Sequence, residues 1–133
     1  MNENIAKQDY FARDLGAEII KAGNYSAEVR LKIRPEFLNG MKSVNGGVMF
    51  SLADYAFALA ANSGNEDGVA VNCNIQFIKP GFEDDVLEAS VEEVSRSRRL
   101  GIYTGLVRNQ KKEILACFQA TAYFKKPQEK PDA

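Results

Sequence analysis

The chain has 133 residues, with 17 Lys and Arg against 18 Asp and Glu, and it contains no histidine. That length suits one domain with a single core, and the charge balance argues against a nucleic-acid partner, which needs a basic excess on one face. The missing imidazole excludes Ser-His-Asp and Cys-His catalysis, His-ligated zinc hydrolysis and any imidazole base, so carboxylates, amides, hydroxyls and backbone groups must carry any chemistry.

No metal site and no cofactor is expected. Cys73 and Cys117 form no CxxC pair and stand far apart, so both read as buried reduced thiols. The longest apolar stretch, Gly46 to Ala61, is shorter than the roughly 20 residues of a membrane span and carries Asp54. The opening MNENIAKQDY lacks an apolar signal region, so a cytoplasmic protein without a membrane partner is expected.

In chain order, residues 3–14 suggest a short amphipathic helix with Ile5, Tyr10 and Phe11 as its apolar contacts, closed by Gly16. AEIIKA, a Gly23-Asn24 turn and YSAEVRLKI then read as two strands of a hairpin. In the second strand Ala27, Val29, Leu31 and Ile33 alternate with charged residues. Residues 34–45 are a polar loop with proline and glycine. The run GGVMFSLADYAFALAAN, residues 46–62, is too long for a typical strand and rich in Ala and Leu. It predicts a helix with Asn45 as N-cap and Gly64 as stop, buried on all sides because it is apolar on all sides. Four strands follow at 69–79, 86–96, 100–108 and 113–124, and the tail 127–133 is expected to be disordered. This order predicts an α+β fold, with residues 1–126 as a single domain and a curved antiparallel sheet wrapped around one long apolar helix.

Asp54 is the only carboxylate on the predicted central helix, and no Lys or Arg at positions 50, 51, 57 or 58 can neutralise it. A carboxylate so placed carries either a raised pKa or a dedicated partner. Asn45-Gly46-Gly47 opens the same helix, where free amides and the helix dipole favour an oxyanion, and glycines allow close approach. In the next strand Val69, Val71, Cys73, Ile75 and Phe77 alternate with polar positions, so Asn72 and Asn74 could face a polar cleft or plain solvent. Arg96, Arg98 and Arg99 cluster at a turn that could meet phosphates. Tyr55 and Phe57 are either core residues or the lining of an aryl pocket.

VNGGVMFSLADYAFALAAN resembles the HGGxxFxLADxAxxxAxN signature of the PaaI-type hotdog acyl-CoA thioesterases. LGAEII, FLNG, NIQFIKPG and GIYTGLVRNQKKEILACFQATA extend the resemblance over roughly residues 8–124. The likeness implies a hotdog fold and hydrolysis of an acyl-CoA substrate with a small or aryl acyl group. It also implies a Gly46 amide that donates to the thioester carbonyl, Gly47 beside it, and Asn39 helping to shape the site. Asp54 would be the nucleophile or the general base toward water. The family has His where this chain has Asn45, which keeps hydrogen bonding but removes a titrating proton. A non-catalytic acyl-CoA-binding protein is the alternative reading, and a hotdog dehydratase, which leans on His, a weaker one.

Gly46 and Asp54 are eight residues apart, so about 12 Å separates them along a helix axis. One thioester carbon cannot touch both. Two helices antiparallel across a two-fold axis would bring Gly46 of one chain to Asp54 of the other, so at least a homodimer is expected. The resemblance adds a homotetramer.

Overall fold

The structure is a computed structural model in which residues 8–125 are described. Ile5, the start of the expected first helix and the 127–133 tail lie outside the described residues. Within them two helices, α1 (Tyr10–Leu15) and α2 (Gly46–Ala61), join six strands: β1 (Glu18–Gly23), β2 (Ser26–Lys32), β3 (Asp67–Phe77), β4 (Val86–Arg96), β5 (Leu100–Arg108) and β6 (Ile114–Lys125). The strands form one curved antiparallel sheet in the order β1-β2-β4-β5-β6-β3, with α2 lying against it. This is the predicted architecture. Among the described residues no helix is long and apolar enough to cross a membrane.

Asp9 is the N-cap of α1, accepting from the Ala12 amide at 2.9 Å, and Gly16 closes it at φ 85° as expected. Its apolar contacts are corrected, however. Tyr10 and Phe11 are 71% and 64% exposed, while Ala12 is buried and Leu15 packs on the core. Six residues turn only one narrow face inward, and Ala12 and Leu15 occupy it.

The β1–β2 turn centres on Asn24 and Tyr25, both at positive φ (52° and 57°), one residue beyond the predicted pair. A tyrosine in left-handed backbone is unfavourable by itself, and tertiary contacts hold it. Its amide donates to Ser63 Oγ at 2.8 Å, its ring meets Phe124 edge-on, and the Arg96 guanidinium lies over it. In β2 the alternation holds, with Ala27, Val29 and Leu31 buried.

α2 follows its prediction at the start and departs from it at the end. Asn45 caps it, whereas Asn62 rather than Gly64 closes it. The Asn62 amide donates to the Ala58 and Gly68 carbonyls, and its Oδ1 accepts from the Gly68 amide, stitching the helix end to β3. Leu52, Ala56, Leu59, Ala60 and Ala61 are fully buried against the sheet; each of those leucines contributes roughly 1.5–3 kcal/mol of burial. The helix is nevertheless not buried on every side. Gly47, Ser51, Asp54 and Ala58, at helical spacing, form a stripe that the chain leaves partly accessible.

In β3 a bulge between Ala70 and Asn72 breaks the simple alternation. Gly68 faces the core before it, opposite Phe124, and Cys73 and Ile75 after it, opposite Ala120 and Phe118, whereas Ala70, opposite Ala122, is exposed. Val69 and Val71, expected inside, are exposed. The cysteines are half-buried rather than buried, and both are free thiols.

Candidate active site

The loop before α2 fixes its N-terminus by hydrogen bonds as well as by the burial of Phe37 and Val44. The Asn45 amide donates to the Phe37 carbonyl at 2.8 Å, and the Val44 amide to the Gly81 carbonyl at 2.8 Å. Leu38 and Val44 form a short bridge with Asn39 next to it. Asn39 Oδ1 accepts from the Met41 amide at 2.9 Å and the Ser43 amide at 3.2 Å, and its Nδ2 donates to Ser43 Oγ at 3.0 Å. Asn39 thus organises the loop that delivers Asn45 and Gly46.

At the helix start the Asn45 side chain accepts from the Gly47 amide at 2.8 Å. Gly47 is thereby satisfied. The Gly46 amide, one residue earlier, makes no hydrogen bond among the described residues and has the helix dipole behind it. Gly46 borders a cavity of about 330 Å³ with Asn39, Ser43, Val44, Met49, Phe77 and Ile78. A Cβ on Gly46 would stand 2.9 Å from Phe77 Cζ, so the ring lies directly over this glycine.

Asp54 opens on a different cavity, of about 230 Å³, lined by Asp9, Phe11, Ala12 and Leu15 of α1 and its flank and by Phe50, Ser51 and Tyr55 of α2. It makes no hydrogen bond or ion pair among the described residues. Burial, and secondarily the charge of Asp9, raises its pKa above the ordinary carboxylate value. Burial likewise raises the Cys73 thiol, with the charge of Asp54 adding to the effect. A carboxylate in such surroundings is a stronger base than one in water.

The same burial has a stability signature. A carboxylate that holds its proton more tightly in the fold than in the unfolded chain stabilises the fold while protonated. That contribution is full in acid and disappears as pH rises through the raised value. Asp54→Asn should therefore melt a few degrees higher than wild type at neutral pH and lose that advantage in acid, as followed by calorimetry.

The other sequence-predicted residues lie apart. Asn72 and Asn74 are exposed on β3 opposite Thr121 and Gln119, on the sheet face turned away from α2. Arg96 is engaged internally. It donates to Glu93 and Glu66 and lies 3.7 Å over the centroid of Phe124 and 4.5 Å over that of Tyr25. Exposed Arg98 and half-buried Arg99 follow it in the β4–β5 turn. Through Tyr25 and Ser63 this cluster sits at the C-terminal end of α2, about 24 Å along the helix from Gly46. Tyr55 lines the Asp54 cavity, whereas Phe57 is core, edge-on to Tyr103 at 5.2 Å. Sequence reasoning missed Asp9 and the position of Phe77 over Gly46. The pattern Asp9-x-x-Ala12 did carry the N-cap signal, but the Phe77 contact is purely tertiary.

Comparison with known proteins shows the family. Residues 41–116 match the thioesterase superfamily. The chain is 36% identical over 117 residues to the acyl-coenzyme A thioesterase PaaI of Escherichia coli (strain K12), covering 88% of this chain and 84% of that protein. The structure of the E. coli PaaI protein from the phenylacetic acid degradation operon superposes with a TM-score of 0.90 at 34% identity, covering 93% of this chain and 90% of that one. A hypothetical thioesterase protein from Streptococcus pneumoniae, solved with coenzyme A, gives a TM-score of 0.85 at 25% identity, covering 94% and 97%.

Proposed function

Because this chain belongs to the thioesterase superfamily, as a hotdog thioesterase of the PaaI type, we propose that it hydrolyses acyl-CoA thioesters with Asp54 and Gly46 drawn from two subunits. The observation that carries this reading is the pair of separate cavities. A free helix amide borders one and an unpaired, proton-retaining carboxylate borders the other. Neither half is a hydrolytic site alone. Two features support joining them across a dimer. The accessible Gly47–Ser51–Asp54–Ala58 stripe leaves α2 uncovered where a second α2 would lie, and β3 is an open eleven-residue edge of the sheet. Exposed Leu100, Ile102 and Tyr123, neighbours on the outer face, suit a further pairing into a tetramer.

In the joined site the Gly46 amide donates to the thioester carbonyl oxygen, and its bond strengthens as that oxygen gains negative charge. Asn45 and Asn39 hold the amide in place, with Gly47 taken up by the cap. Asp54 acts on the carbonyl carbon either directly as a nucleophile or through a water whose proton it accepts. In either route the thiolate of CoA leaves and takes up a proton; the water attack releases the acid directly, whereas the nucleophilic route leaves a mixed anhydride on Asp54 that a water then cleaves to free the acid and restore the carboxylate. Val44, Met49, Phe77 and Ile78 give the cavity an apolar wall suited to a small or aryl acyl group. In an antiparallel dimer the partner's β4–β5 turn approaches this end of α2, where Arg98 and Arg99 would meet the CoA phosphates and Arg96 would brace the turn. Asn72 and Asn74 would lie at the margin of the substrate path along the β3 edge.

Free-thiol release from a panel of acyl- and aryl-CoA thioesters tests the reading. Turnover of at least one supports it, whereas CoA binding without thiol release from any would make the protein a non-catalytic binder. With no histidine in the chain, the rate should rise through one acidic step as Asp54 loses its proton. The midpoint should lie above the ordinary Asp value, because the shift is upward. Beyond that step the profile should stay flat through neutral pH. A second limb near neutrality would require a titrating group that this site lacks.

A further inference from the structure

The wall of the Asp54 cavity facing α2 is built by α1 and its flank, and the charge on that wall belongs to the N-cap. Asp9, Phe11, Ala12 and Leu15 line it, and Asp9 alone among them is ionisable. Asp9 is half-buried, and its Oδ1 is committed to the Ala12 amide at 2.9 Å. Capping needs an acceptor and not a charge, so Asn or Ser would serve as well. The cap itself does not require the negative charge, which faces a second carboxylate across a partly dehydrated cavity. Among the described residues no cation lines that cavity.

We infer that Asp9 is a positioning residue for the hydrolysis, whose charge, acting across the shared cavity, sets the acidity range in which Asp54 works. The inference rests on Asp54 being the catalytic carboxylate. Among the described residues, Asp9 from α1 and Tyr55 from α2 share the cavity with Asp54, and the Cys73 thiol of β3 is near enough to feel its charge. Tyr55 and Cys73 are both pushed upward, by burial first, and stay neutral through the acidic range. Among the described residues lining the cavity, Asp9 is the one other carboxylate. A like charge makes Asp54 hold its proton to higher pH and makes it the better base once the proton is gone. The N-terminal helix thus contributes to catalysis without touching substrate.

The test compares the full chain with Asp9→Asn, Asp9→Ser and Asp54→Asn, following kcat/KM by thiol release across the acidic range. Both Asp9 variants keep an acceptor for the Ala12 amide and lose the charge, so a folding defect in one leaves the other informative. The acidic limb should move to lower pH by the same amount in both, and the plateau should fall a few-fold as the base weakens. Asp54→Asn should be inactive throughout. If Asp54→Asn is inactive while both Asp9 variants keep the wild-type limb, Asp9 is only a cap and the inference fails, with the proposed function intact. If Asp54→Asn turns over at the wild-type rate, the proposed function itself fails.

Discussion

Asp54→Asn will lower turnover by about 10²–10⁴-fold, the usual contribution of a positioned base, while folding and CoA affinity persist. The swap is nearly isosteric, and no hydrogen bond to Asp54 exists among the described residues for it to break. Lost activity therefore reports chemistry and not structure, the more so if the variant also gains thermal stability. Turnover of a small acyl-CoA and an aryl acyl-CoA, together with CoA affinity by calorimetry, checks both halves. A variant that hydrolyses either substrate at near wild-type rate removes Asp54 from the mechanism.

The second large effect is recovery from near zero. Gly46→Pro deletes the free amide, and the backbone accepts the change. Gly46 is not among the positive-φ glycines. Asn45, at φ −58° and ψ 132°, already has the extended conformation that a following proline requires. Proline is at home in a helix's first position. The three atoms nearest the added Cβ all belong to the Phe77 ring, which is 56% exposed. Gly46→Pro and Asp54→Asn should each be nearly inactive as pure dimers. When the two are co-expressed with random mixing, about half the dimers are mixed and half of their sites join two intact residues. About a quarter of wild-type activity should then return. Isolated mixed dimers that stay at the single-variant level would exclude a site shared between chains, provided Gly46→Pro alone is folded and dimeric by light scattering.

Much of the fold was legible because its signals are local. The long Ala-rich run made α2, period-two alternation made β2, and Asn45 ahead of two glycines made the cap. Asp54 could be singled out as the lone carboxylate in an apolar helix. What escaped is what only the assembled fold decides. The β3 bulge is invisible to an alternation rule, so Val69 and Val71 were placed inside and the roles of Asn72 and Asn74 were left open. Arg96 read as a phosphate contact because sequence does not show that Glu66, Glu93 and two aromatic rings converge on it. The hairpin turn moved by one residue because Ser63, from the far end of α2, binds the Tyr25 amide.

The strand order also bears on how the chain comes off the ribosome. β3 follows α2 directly in sequence, yet its neighbour in the sheet is β6, which ends at Lys125. While β4 and β5 are being made, β3 has no strand to pair with, and one flank of the most apolar helix in the protein stands open. The first hairpin and β4 can assemble as they emerge, but the sheet closes over α2 only when nearly the whole chain has been synthesised. Long-range pairing of this kind is slow and leaves apolar surface exposed during synthesis. The nascent protein therefore carries α2 half-sheltered until β6 arrives, a window in which chaperone protection matters most.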